Sequence, residues 1–200
     1  HLTGLRDVSE ILNDGSGIVT HEVISEGSNW FGQDSRNPTT GQYNFNTDET
    51  VKFPSAVALI WRWTGDDRFR DRLYDFSVRG MHAVVERLDE DGDGWPEGSG
   101  NVEREGMGVE KLDNSVYLIR GLYDLADMAK AEGDRATQEW ATDLAQRLHQ
   151  RFEDAWWFPG SPDGPQYADS IDDPPVGGDN NQQQDKHWIG VTPMEAELTI

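Results

Sequence analysis

The densest chemistry in this chain lies in one stretch, "LDEDGDGWPEGSGNVEREGMGVEKLDN", residues 88–114. Asp89, Asp91 and Asp93, followed by Gly94, match the first half of a calcium loop, which needs hard oxygen ligands at alternating positions and a glycine for the sharp turn. The twelfth position is Gly100 instead of the usual glutamate, so the match stops halfway and leaves Glu97 or Glu103 to supply a late ligand. Glu97 also suggests a different use. A carboxyl group donates a proton near neutral pH only if burial or nearby carboxylates keep it protonated. Trp95 offers the apolar surface and the aspartates the repulsion. Taken alone, a glutamate beside glycine and proline is a solvated loop acid.

Further acids stand at the starts of predicted helices. Asp48 and Glu49 in "NTDET" precede a helix expected over 54–63, and Glu110 precedes one expected over 114–130. Exposed amides and the helix dipole stabilise carboxylates there, so capping accounts for them, and binding sugar hydroxyls is compatible with capping. Glu195, in "QDKHWIGVTPMEAEL", is the best second carboxylate for activating water, a role that calls for roughly 6.5–9.5 Å between the two acids of an inverting pair. A helix-start acid is the plain alternative. Trp30, Trp95, Trp156, Trp157 and Trp188 fall in expected loops, where aromatic faces can stack on the C–H faces of sugars. Trp61, Trp63 and Trp140 fall on helix stripes and read as core. His21 beside Glu22 is too little for a metal site and reads as pocket wall or plain structure.

The elements that must position these residues are helical hairpins. Leu118, Leu122, Leu125, Ala126 and Ala129 recur at helical spacing, Asp113 or Asn114 can cap that helix, and Gly133 stops it. A partner helix over about 135–152 carries Trp140, Leu144, Leu148 and Phe152, and the short "AEGD" connection makes the two antiparallel neighbours. The same design occurs earlier, in the helices over 54–63 and 67–88 joined by "TGDD". Gly65-Asp66 and Gly133-Asp134 are 68 residues apart, a weak internal repeat of hairpins. The remaining connections, 15–48, 89–113 and 153–188, are long and rich in Gly, Asp, Asn, Pro and Trp. Loops of that length in a compact domain are usually functional. If the tight turns share one end of the helices, the long loops gather at the other. A closed ring of six such units would need roughly 400 residues, so the chain is expected to be part of a longer one or an open, self-associating half. The abrupt start at His1 and end at Ile200 agree with a processed or truncated product.

Composition narrows the partners. The 200 residues hold 17 Lys+Arg against 38 Asp+Glu, a formal charge of -21 that repels nucleic acid and anionic membranes. Lysine occurs only at Lys52, Lys111, Lys130 and Lys186, as expected of a protein in high salt or outside the cell, or of an Arg-biased genome. With no cysteine there is neither a disulfide framework nor a thiolate metal site. No apolar run is long enough to span a bilayer.

Three segments, "YNFNTDETVKFPSAVALIWRWTGDDRF", "DGDGWPEG" and "GMGVEKLDNSVYLIRGLYDLADMAKAEGD", resemble in order the middle of the six-hairpin glycosidases. The similarity spans about residues 5–152 and is nearest to glycogen debranching enzymes, in their amylo-α-1,6-glucosidase part, and to glucoamylase-like proteins. The resemblance implies an all-α fold, an (α/α)6 toroid of which this chain holds part, and inverting hydrolysis of α-glucosides or a related polysaccharide with no required cofactor. It puts Glu97 where the family places its general acid. Asp48, Glu49 and Glu110 then bind the oligo- or polysaccharide; the loop tryptophans Trp30, Trp95 and Trp188 are expected to stack on it, and the calcium-loop pattern at Asp89, Asp91 and Asp93 allows a structural Ca2+. The family's upstream Arg-Asp substrate motif and its downstream catalytic base are missing, as expected of one part of a ring whose remainder, or a second copy, completes it. The rival expectation is a non-catalytic carbohydrate-binding or structural toroid with calcium-stiffened loops.

Overall fold

The computed structural model describes residues 1–21, 38–39, 47–102, 107–171, 182–183 and 188–198. Glu22, Trp30, Glu103 and His187 lie outside them. The fold is all-α, built of helices α1 (Leu2–Leu12), α2 (Thr47–Thr64), α3 (Asp67–Arg87), α4 (Leu112–Glu132), α5 (Arg135–Trp156) and the short α6 (Thr192–Glu195). The strands among the described residues are two residues long: β1 (Glu110–Lys111), β2 (Trp157–Phe158), β3 (Gln166–Tyr167), β4 (Ser170–Ile171) and β5 (Gln182–Gln183). β4 lies between β1 and β5, antiparallel to both, and β2 pairs antiparallel with β3.

The two tight turns are built alike. Gly65 (φ 65°) and Gly133 (φ 76°) follow α2 and α4 in the left-handed conformation, which costs glycine nothing. The next residue then caps the following helix: Asp66 accepts from the Phe69 N–H and Asp134 from the Thr137 N–H, both at 3.1 Å. Arg70 donates to Glu132 at 2.9 Å and Tyr74 to Asp134 at 2.9 Å. Both turns therefore lie at one end of the helices, and the N-termini of α2 and α4 lie at the other.

Helix α4 is the centre of the packing. Its buried positions, Leu112, Val116, Leu118, Ile119, Leu122, Leu125 and Met128 among them, run right round the helix, whereas α5 buries the single stripe Ala141, Ala145, Leu148, Phe152 and Trp156. A helix buried on all sides needs neighbours on all sides. Here α2, α3, α5 and α6 all contact α4. Buried Asp124 on α4 is neutralised by Arg62 of α2 at 2.6 Å and by Arg120 at 3.0 Å, the pairing that a buried charge requires.

Two sequence expectations are corrected. Helix α2 starts at Thr47, not at residue 54, so Pro54 lies inside the helix and Asp48 and Glu49 form its acidic first turn. Proline favours a helix's first turn, which made it look like the start, but the N-terminal acids also suit the dipole and extend the helix. Trp63, read as core, is 85% exposed on the last turn of α2 beside Leu59 and Ile60.

A close approach of α2 to α4 depends on Gly121, where a Cβ would stand 2.4 Å from the Val51 carbonyl oxygen of α2 and 3.2 Å from Met81 Cε. Gly121→Ala should lower stability by about 1–3 kcal/mol, as overpacking does, which is several degrees in Tm for a chain of this size. Calorimetry reads this directly, and an unchanged Tm would mean that α2 and α4 separate without cost.

Candidate functional site

The N-termini of α2 and α4 are held side by side by residues 97–101. The Thr47 N–H donates to Ser99 O at 2.8 Å, and Thr47 Oγ1 to Glu97 O at 2.8 Å. On the other side the Gly98 N–H donates to Val109 O at 3.1 Å, Glu97 bridges to Glu110, and Asn114 Nδ2 reaches Ser99 O at 3.4 Å. The Leu112 N–H donates to Asp169 O at 3.1 Å, which ties the start of α4 to the residue before β4.

This arrangement gathers Asp48, Glu49 and Asp113. Asp48 is buried, and its Oδ2 accepts from Lys52 Nζ at 2.8 Å. Glu49 contacts His21 Nδ1 through Oε1. Burial, followed by the adjoining Asp48 charge, raises the Glu49 carboxyl to about 8 against the opposing pull of His21. Asp113 is wholly buried. Burial raises its carboxyl and the Asp48 charge adds to this, while the Asn101 N–H, donating to Oδ2 at 2.6 Å, and the Lys52 charge oppose it. Gly100 lies against the same carboxyl, where a Cβ would stand 2.6 Å from Oδ1. Four oxygens of this cluster, Asp48 Oδ1, Glu49 Oε2, Asp113 Oδ1 and Asn114 Oδ1, are buried with no donor among the described residues when the carboxyls are ionised, and a proton on Glu49 is shared with Asp48 by a side-chain hydrogen bond. Glu110 is also buried, at the base of β1.

Glu97, expected as the acid, contributes its backbone to this junction, but both its carboxylate oxygens accept from the Glu90 N–H, at 3.0 and 3.1 Å. Its carboxyl is raised, first by burial and then by Asp91 and Glu90, so its charge environment is the acidic loop. In that loop Asp89, Asp91 and Asp93 bring one oxygen each within 4.8 Å of one another. The Asp93 N–H donates to Asp91 Oδ1 at 3.1 Å and the Trp95 N–H to Asp93 Oδ1 at 2.7 Å, while Asp89 Oδ1 is buried without a donor. Trp95 is a correction. Expected to offer its face to a sugar, it is 1% exposed, packed edge-to-face on Phe152 and Trp156 with the Arg151 guanidinium 5.6 Å over its ring. It plugs the loop into α5. Trp156, expected in a loop, is the buried last residue of α5.

Glu195 on α6 is exposed and accepts from Tyr117 Oη at 2.6 Å. Tyr117 lies one turn beyond Asp113, and its hydroxyl is raised by burial and then by Glu195, Asp113 and Asp48. Glu195 is thereby joined to the same acidic cluster. Trp188, 57% exposed, is free to stack on a ligand. Sequence reasoning did not single out Asp113, Lys52, Asn101 or Tyr117. Asp113 carried a signal as a candidate cap, yet it makes no capping bond, and α4 begins without a side-chain cap.

The chain is similar in structure to the crystal structure of a GH78 family rhamnosidase of Bacillus sp. GL1, with a TM-score of 0.61 and 15% sequence identity over 80% of this chain. It spans 17% of the length of that protein. At this identity the likeness establishes a shared fold. No protein-family model matches the chain, and no curated protein matches it in sequence.

Glu49 gives this site a pH signature. The folded chain keeps its proton to about pH 8, whereas the unfolded chain releases it near 4.5. Between those values the unfolded state binds fewer protons, so this group's contribution to stability falls as pH rises through the window. Glu49→Gln removes the titration. The variant's Tm relative to wild type should therefore climb from pH 5 to pH 8, and a difference independent of pH would show that Glu49 titrates normally.

Proposed function

We propose that this chain is the acid-bearing part of an inverting glycoside hydrolase with a six-hairpin, (α/α)6 arrangement, acting on α-glycosides. The observation that carries the reading is the group of buried oxygens at the paired helix N-termini, Asp113 Oδ1 and Asn114 Oδ1 among them, that find no donor among the described residues. An unsatisfied buried acceptor costs roughly 1–3 kcal/mol, and a natural site retains several only with a reason. A sugar's hydroxyls supply several donors at such spacing, whereas a phosphate or carboxylate ligand supplies none. The structural likeness to a rhamnosidase and the sequence resemblance to debranching enzymes support the same class.

In this reading Asp113 takes the general-acid role that the sequence offered to Glu97, because its carboxyl is wholly buried, is raised by burial and then by the Asp48 charge, and has Oδ2 fixed by the Asn101 N–H. Glu195, held by Tyr117, drives water onto the opposite face of the sugar. Asp48, Glu49 and Glu110 receive sugar hydroxyls, and Trp188 stacks on the ring.

Release of p-nitrophenol from α-glucosides and α-rhamnosides by the full-length protein tests this. Asp113→Asn should cost about 10²–10⁴-fold in kcat/KM, the usual worth of a general acid, and Glu97→Gln only a few-fold. The reverse order would return the acid role to Glu97. Saturable glycan binding without hydrolysis would favour the non-catalytic rival.

We also propose that Asp89, Asp91 and Asp93 hold a structural Ca2+, a reading favoured by their convergence and by the donorless Asp89 Oδ1. Millimolar calcium should raise the Tm of wild type, as binding to the folded state alone requires. Asp91→Asn should blunt that rise, and equal rises in both would exclude this loop.

A further inference from the structure

Lys52 lies one turn into α2, in the midst of the acids. Its ammonium group donates to Asp48 Oδ2 at 2.8 Å and to Asn101 Oδ1 at 2.6 Å, and it sits 4.7 Å over the ring of Tyr117. It thus touches the first turn of α2, the 97–101 segment and the face of α4 that carries Asp113 one turn earlier. The next link is Asn101, whose backbone N–H donates to Asp113 Oδ2 at 2.6 Å. The path from Lys52 through Asn101 to Asp113 therefore consists of two short hydrogen bonds, with no long side chain in between. Where Asn101 stands decides which oxygen of Asp113 is held by an amide and which is left without a donor. Gly100, the residue before it, packs against that second oxygen, where a Cβ would stand 2.6 Å away.

We propose that Lys52 is the positioning residue of this site: through Asn101 it pins Oδ2 of Asp113 and so fixes how Oδ1 faces the substrate, while its ion pair with Asp48 ties the first turn of α2 to the same point. The inference rests on the reading of Asp113 as the acid. The titratable groups facing the pair are Asp48 and Glu49 of α2, Tyr117 of α4 and Glu195 of α6, with His21 on the far side of Glu49. Among these described groups Lys52 is the one permanent cation, so its removal acts on every carboxyl in the same direction.

Lys52→Met keeps the stem length and removes the charge. Asp113 must be protonated to act, and losing a nearby cation raises a carboxyl, by about one unit for a close partner. The alkaline limb of the pH profile of kcat/KM should therefore move upward by that order in Lys52→Met. Lys52→Arg should restore that limb, because it restores the charge. Asn101→Ala, which changes no charge, should lower kcat and leave the limbs in place. A second readout does not depend on turnover: in the full chain labelled with 13C-carboxyl aspartate, the Asp113 resonance, assigned by its loss in Asp113→Asn, should titrate at higher pH in Lys52→Met. A Lys52→Met variant that loses rate equally at all pH values, with an unmoved Asp113 titration, overturns the proposal and leaves Lys52 a structural tether. If Asp113→Asn retains full activity, the acid assignment fails by itself. Should Lys52→Met not fold, Lys52→Arg and Asn101→Ala decide the matter: unchanged kcat in Asn101→Ala would break the path through Asn101.

Discussion

The site depends on one junction, the segment 97–101 laid between the first turns of α2 and α4. Thr47 is held from one side of it, while Asn114 and the strand preceding α4 are held from the other. Two helix N-termini share that space, and their dipoles make it electropositive from the backbone alone. The chain fills it with carboxylates, as such a field favours. More of them are present than the field can ionise, however. Asp48 is paired with Lys52, whereas Glu49 and Asp113 are each raised first by burial and then by the Asp48 charge. The surplus of acid over available positive charge favours the protonated form of both.

Such a cluster costs stability, because its donorless oxygens and its repulsion both favour unfolding. Folded chains have only about 5–15 kcal/mol of margin, so the cost must be met by nearby packing. Helix α4 supplies that packing. Directly behind Asp113 and Asn114 its apolar residues are buried on every side, and Gly121 lets the backbone of α2 close against it. The opposite end of the helices is fixed by the capped glycine turns and by Arg70 and Tyr74. Rigidity at both ends and in the core is what holds an energetically unfavourable group of acids in place.

The hairpin architecture was legible because its signals are local. Helical spacing and a Gly-Asp pair at each turn do not depend on distant residues, and both turns form as that pattern requires. Asp48, Glu49, Glu110 and Glu195 were legible as acids at element starts. The junction itself was not, because it joins residues some fifty positions apart. Lys52 fell outside the expected helix once Pro54 was taken as its start. Asp113 looked like a cap, although its carboxylate turns to Asn101. Trp95 looked available because nothing near it in sequence hides it; its cover comes from Phe152 and Trp156, on a helix that follows much later.

The placement of Trp95 also explains how the acidic loop and the junction are related. With its indole anchored under α5 and Arg151 donating to the Asp93 carbonyl at 2.7 Å, the loop enters the junction from a fixed point. Glu97 then divides its functions. Its side chain closes the loop on the Glu90 amide, and its backbone closes the junction on Thr47. A residue that braces two structures with two different groups need not perform chemistry to be indispensable. The position of Asp113, Lys52 and Asn101 is set downstream of that brace, so the acidic loop and the buried carboxyls behave as one unit: what stiffens the first fixes the geometry of the second.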